Sequence, residues 1–151
     1  MEVVAAHFAP GRSVSRDAAA DALVMAAWYD QRDAVAFLLD HGVDVAARRR
    51  RDGQTALHVA CYCGYPALVE LLLDRGAPVD VTDHVYRTPP LVWALHAWLA
   101  ESRPNADDYK AVLRLLVAAG AEVRREWIDD ERVRADGSLH AALERGLSRA
   151  P

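Results

Sequence analysis

At 151 residues, 52% of them hydrophobic and 26% charged, the chain has the composition of one globular domain rather than of a disordered segment. Its net charge of −4 argues against a protein whose main task is neutralising phosphate backbones. No apolar run approaches the ~20 residues a membrane helix needs, and the N-terminus lacks a charged-then-apolar signal pattern, so a cytoplasmic location is the expectation.

Residues 2–9 form a short apolar segment ended by Pro10 and Gly11, either a helix shielding the flank of the first helix pair or a loose tail. Residues 17–42 predict that helix pair, with Asp17 or Ser15 as cap, a first helix through Trp28 and a second over 33–40. A finger over 43–53 comes next, carrying four consecutive arginines, Arg48, Arg49, Arg50 and Arg51. Asp52 and Gly53 signal a turn, and Thr55 is placed to cap a helix in which Leu57, Ala60 and Cys61 recur at helical spacing. Gly64 suits the left-handed residue that ends this helix, and Pro66 suits the first turn of the next. There Leu68, Leu71 and Leu72 stripe one face while Glu70, Asp74 and Arg75 point to water, until Gly76 stops the helix.

Residues 83–101 read as a second finger and a longer helix from 91 to about 101, with Trp93, Leu95 and Leu99 as packing residues. Ser102 to Asp108 is turn-rich: Pro104 breaks the helix and Asp107 or Asp108 caps the next, over 109–119. After Gly120 the spacing is lost. Trp127 and Ile128 are expected to pack on the last helix pair, and Leu139, Leu143 and Leu147, four apart, suit a closing cap. The last four residues are expected to fray.

The units repeat. Helix-stopping glycines recur as Gly42, Gly76 and Gly120, at intervals of 34 and 44 residues. Leu23, Ala26 and Ala27 match Leu57, Ala60 and Cys61; Phe37, Leu38 and Leu39 match Leu71, Leu72 and Leu73. Thr55, Leu57, His58 and Ala60 followed by Leu71 to Leu73, Gly76 and Ala77 resemble an ankyrin repeat, whose period is roughly 33 residues. Thr88, Pro89 and Leu91 match the same motif with Pro90 inserted, while Val92 replaces the His58 position. The resemblance covers residues 18–124 and implies an all-α solenoid of stacked helix-turn-helix pairs joined by short β-turn or hairpin fingers. The whole chain then reads as one domain: a cap over 1–17, repeats over 18–49, 50–82 and 83–124 (the last with an insertion near 98–108), and a cap over 125–151. The near-exclusive use of Arg over Lys suggests a GC-rich, bacterial genome.

Chemistry is sparse. His58 and Cys61 share a helix face, but Cys63 points elsewhere and no fourth ligand stands at metal-type spacing, so no metal or cofactor is expected. In the resembled family this His is structural, bonding backbone between adjacent turns. Cys61 and Cys63, two apart on one helix, point to nearly opposite sides and do not bridge, which fits a reducing compartment. No nucleophile, phosphate-loop or dinucleotide motif occurs, so no enzyme is expected. The resemblance implies instead another protein as partner, bound by a monomer at the finger tips and the exposed face of the inner helices. Carried over position by position, that face comprises Trp28 and Tyr29; Arg51, Asp52, Gln54, Tyr62 and Cys63; and His84, Val85, Arg87 and His96, with Ala97 less secure. The competing reading is that Trp28 and Tyr62 simply pack between neighbouring inner helices. For Arg48 to Arg51 the alternatives are a solvated loop or a site for acidic or phosphate-bearing partners, including nucleic acid or an anionic surface.

Overall fold

A computed structural model describes residues 15–100 and 105–147. The expectations for residues 2–9, for Ser102 to Pro104 and for the last four residues lie outside the described residues.

Capping chemistry places the helices. Ser15 lies in extended backbone and its hydroxyl accepts from the Ala18 amide, starting α1 (Arg16–Trp28); Asp17 is left in the first turn. A short turn leads to α2 (Arg32–Asp40). Thr55 opens α3 (Ala56–Cys63) with a reciprocal cap: its hydroxyl accepts from the His58 amide, and its own amide donates to His58 Nδ1. Gly64, at φ 69, ends α3, and Pro66 is the first residue of α4 (Pro66–Asp74). The third pair is α5 (Pro90–Leu99) and α6 (Ala106–Ala118). Two short helices, α7 (Arg125–Ile128) and α8 (Glu131–Ala135), precede α9 (Gly137–Leu147).

The inner helices stack in the order α1, α3, α5, and each packs on its own outer partner, α2, α4 or α6. Small residues permit this approach: Ala60 and Ala94, 34 positions apart, are fully buried between the rows. Leu23, Leu38, Leu57, Leu68, Leu72, Leu91, Leu113 and Leu116 fill one continuous core, each worth about 2 kcal/mol on burial. On α4, Leu68, Val69 and Leu72 are buried and Leu71 half-buried, close to the expected stripe. Against α6 lies α9, which buries Leu139 and Leu143 and closes the apolar end of the stack together with Ile128 and Val133. No strand occurs among the described residues, and the result is an all-α repeat solenoid.

Three local expectations need correction. In the first finger the Arg49 amide donates to the Gln54 carbonyl; in the second the Asp83 amide donates to the Thr88 carbonyl. Gly53 (φ 70) and Arg87 (φ 54) are the left-handed residues of the two turns. Both pairs are 34 apart, so the period runs unbroken through Pro90. Pro89, rather than Thr88, stands at the cap position of Thr55, and Pro90 is the first helical residue rather than an insertion. The extra residues fall after α5, which stops at Leu99, short of residue 101. Finally, α6 starts at Ala106 behind Asn105, not behind Asp107 or Asp108. Asn105 caps nothing in its own helix. Its Nδ2 donates to the Cys63 carbonyl at 3.4 Å, while the Tyr109 hydroxyl donates to the Tyr62 carbonyl at 2.9 Å, tying the insertion's return to the end of α3.

Candidate functional site

Trp28, Tyr62 and His96 occupy one position in α1, α3 and α5, each 34 residues from the next. Trp28 and His96 are exposed and Tyr62 is half-buried, and the three line one cavity. The rings of Trp28 and Tyr62 stack with centroids 6.1 Å apart and planes 20° from parallel. Trp93, one turn before His96, meets Tyr62 edge-on at 5.7 Å and Tyr86 of the second finger at 5.9 Å. Ring pairs in this range contribute about 0.5–1.5 kcal/mol each beyond the area they bury. A cavity of about 570 Å³ opens over these rings, walled on the finger side by Arg49, Arg51, Asp52, Gln54 and Thr88.

Two buried carboxylates hold the fingers in shape. Asp52, only 5% exposed, receives the Arg49 guanidinium on both oxygens and the Gln54 amide on Oδ1. Desolvation pushes its pKa up, but the Arg49 and Gln54 bonds outweigh this and hold it below the usual carboxylate value. Asp83, 2% exposed, accepts from the amides of Val85, Tyr86 and Thr88, from the Thr88 hydroxyl, and from Trp93 Nε1 at 3.1 Å. Burial opposes the charge here too, yet the donors win and draw its pKa down to about 2. One carboxylate thereby shapes the second finger and orients the Trp93 ring.

His58 joins that finger to α3. Its Nδ1 accepts from the Thr55 amide, which leaves the proton on Nε2, and Nε2 donates to the Thr88 carbonyl at 3.2 Å. Burial depresses its pKa to about 4, so it is neutral at pH 7. This matches the structural role implied for the residue. Beside it, Cys61 is fully buried and its thiol pKa is pushed well up by burial. No group of three His, Cys, Asp or Glu side chains able to hold a metal ion occurs among the described residues.

The cavity brings together six of the residues carried over from the resemblance: Trp28, Arg51, Asp52, Gln54, Tyr62 and His96. Asp52 is in the wall, but its carboxylate is already occupied. Tyr29 is exposed at the C-terminal cap of α1 and does not line the cavity. Cys63 is half-buried, its carbonyl taken by Asn105. His84 lies over Gly53, where a Cβ would sit 2.5 Å from its ring, and its amide donates to the Asp52 carbonyl. Val85 and Arg87 are exposed on the second fingertip, outside the cavity, and Ala97 is buried. Arg49 enters the wall from the arginine run singled out as an alternative site, while sequence reasoning missed Tyr86, Thr88, Val92 and Trp93. Trp93 is half-buried in the groove wall rather than a core residue like Leu95. Its position three residues before His96 puts the two on one helix face, and that spacing was the available signal.

The arginine run does not form one cationic patch. Arg48 donates to the Gly53 and Thr82 carbonyls and Arg49 to Asp52, so both are structural. Arg50 and Arg51 point outward, each side chain 86% exposed.

A family model described as ankyrin repeats (3 copies) matches residues 9–83. The human NF-kappa-B inhibitor delta is 31% identical over 105 residues, covering 68% of this chain and 32% of that protein. The mouse B-cell lymphoma 3 protein homolog is 32% identical over 99 residues, 66% of this chain and 19% of that protein. A shorter match, 49% identical over 49 residues, is to the mouse serine/threonine-protein kinase TNNI3K, covering 32% of this chain and 6% of the kinase. The chain thus spans at most about a third of the length of these relatives.

Proposed function

Because this chain belongs to the ankyrin-repeat family, whose repeats generally serve as protein–protein interaction modules, we propose that it captures a partner protein through the groove of α1, α3, α5 and the two fingers. Capture is stoichiometric and non-catalytic. The carrying observation is where apolar surface is left uncovered. Among the described residues the exposed large hydrophobic side chains are Met25, Trp28, Tyr29, Val85 and Tyr86; all belong to α1, its cap or the second finger, and none to an outer helix. Two of them, Trp28 and Tyr86, line the groove cavity itself, and apolar surface left exposed there marks a surface that another molecule covers. Tyr, Trp and Arg, the types that wall this cavity, are those that dominate binding energy at interfaces. The kinase activity in one relative's name is not carried over, since the match covers 6% of that protein. A monomer acting in a reducing, cytoplasmic setting completes the proposal.

Affinity capture from the source cell, read by mass spectrometry, tests it with wild type against Trp28→Ala/Tyr62→Ala, after circular dichroism shows the double variant folded. A protein retained by wild type and lost by the variant is the expected result. Equal capture by both would move the binding surface elsewhere.

A further inference from the structure

A ligand that fills the cavity over the aromatic wall also meets Arg51, which lines the same cavity. An arginine desolvated without a counter-charge is strongly unfavourable. The protein supplies little of one. The nearest carboxylate, Asp52, lies 3.8 Å from Arg51 Nε and already accepts from Arg49 on both oxygens and from the Gln54 amide. In the cavity wall two arginines (Arg49, Arg51) stand against one carboxylate (Asp52), and Arg51 is the far more exposed of the two. The other polar groups at the wall point the same way. Gln54 Oε1 accepts from Arg49, which leaves its amide N–H groups for a ligand, while the Thr88 hydroxyl is already spent on Asp83. The groove therefore offers hydrogen-bond donors and positive charge beside an apolar wall, on a chain whose net charge is −4.

We infer that the groove takes an acidic segment of a partner polypeptide with an apolar or aromatic anchor, the anchor seated on Trp28, Tyr62 and Trp93 and a carboxylate met by Arg51. This rests on the proposed use of the groove and adds the partner's chemistry. A carboxylate accepts from a guanidinium in a two-pronged fit, and the adjacent Gln54 amide adds a third donor. A phosphodiester strand is the weaker fit, because Arg48 and Arg49 are tied to finger carbonyls and to Asp52 and neither α3 nor α5 carries a Lys or Arg to extend a cationic track.

Selection of a random peptide library displayed on phage, against wild type, Tyr62→Ala, Arg51→Gln and Arg51→Glu, is the test. Wild type should enrich peptides with Asp or Glu close to Phe, Tyr, Trp or Leu. Those peptides should bind Tyr62→Ala about tenfold or more weakly and Arg51→Gln roughly two- to fivefold more weakly. Selection on Arg51→Glu should turn toward Lys and Arg. Neutral or basic peptides that are lost with Tyr62→Ala but indifferent to Arg51→Gln would overturn the inference and leave the groove standing. Peptides that bind wild type and Tyr62→Ala equally would overturn both. A short oligothymidylate that binds with steep salt dependence, and is lost with Tyr62→Ala, would overturn the acidic-peptide assignment in favour of a nucleic acid.

Discussion

Replacing Asp83 with Ala tests how the second finger and the groove are linked. The side chain is 2% exposed and gathers five donors, three of them backbone amides at the fingertip and one the Trp93 indole. A fall in pKa from 3.8 to about 2 corresponds to a ceiling of about 2.5 kcal/mol of charge-dependent stability. Val85 and Tyr86 beside it are 60% and 70% exposed, so water screens that contribution to about 1 kcal/mol. Leaving the half-buried Trp93 N–H without an acceptor adds about 1 kcal/mol more. Asp83→Ala should therefore lose about 2 kcal/mol at pH 6 in urea denaturation monitored by circular dichroism. The sign with pH is fixed: a carboxylate whose folded pKa is depressed stabilises above its unfolded pKa and ceases to do so as pH falls through the folded value. The window runs from about pH 4 down to about pH 2, and near pH 3 about half the charge-dependent part should be gone. The gap between wild type and variant should accordingly narrow toward pH 3. A gap below about 0.5 kcal/mol at pH 6, or one that widens on acidification, would refute the reasoning.

Gly64→Ala should cost about 2–4 kcal/mol, because φ is 69 and the new Cβ would sit 2.8 Å from Asn105 Nδ2 and 2.9 Å from the Tyr109 ring. Gly76→Ala, at φ 82 with nothing within 4 Å, should cost only about 1 kcal/mol; equal penalties in chemical denaturation would remove the steric part of the argument. His58 has a folded pKa lowered from 6.5 to about 4, so its neutral form stabilises above pH 6.5 and that stability drains away as pH falls toward 4. Stability should drop by up to about 3 kcal/mol across that window in wild type, and His58→Gln should flatten the profile; an unchanged slope in the variant would count against it. Arg49→Ala should destabilise by about 1.5–3 kcal/mol through its bond to buried Asp52, whereas Arg50→Ala, 86% exposed and 3.7 Å from Asp17, should stay within about 0.5 kcal/mol; similar thermal shifts for the two would contradict the division of the arginine run.

What was legible in the sequence was local. Thr55, Gly64, Pro66 and Gly76 each act through their own backbone geometry within a turn or two, so their roles can be read from residue type and spacing. The leucine stripes were readable for the same reason, and repetition at 34 residues gave the stacking. The missed features depend on partners distant in sequence or hidden by the turn. Arg48 looks like its neighbours until the Thr82 carbonyl arrives from the next repeat. Asp52 reads as an exposed turn acid, yet the folded finger encloses it with Arg49. Asn105 looks like a helix cap but reaches across to Cys63 instead. Trp93 reads as core from its apolar neighbours, and only the bond to Asp83 and the edge contact with Tyr62 turn it to the groove.

On the proposed function, the face formed by α1, α3, α5 and the fingers is the one that meets a partner. Hydrogen–deuterium exchange of the chain with and without its captured partner reads this directly. Protection should appear at residues 49–54 and 84–96 and around Trp28 and Tyr62, with α2, α4 and α6 unchanged. Protection confined to the outer helices or to α9 would contradict it.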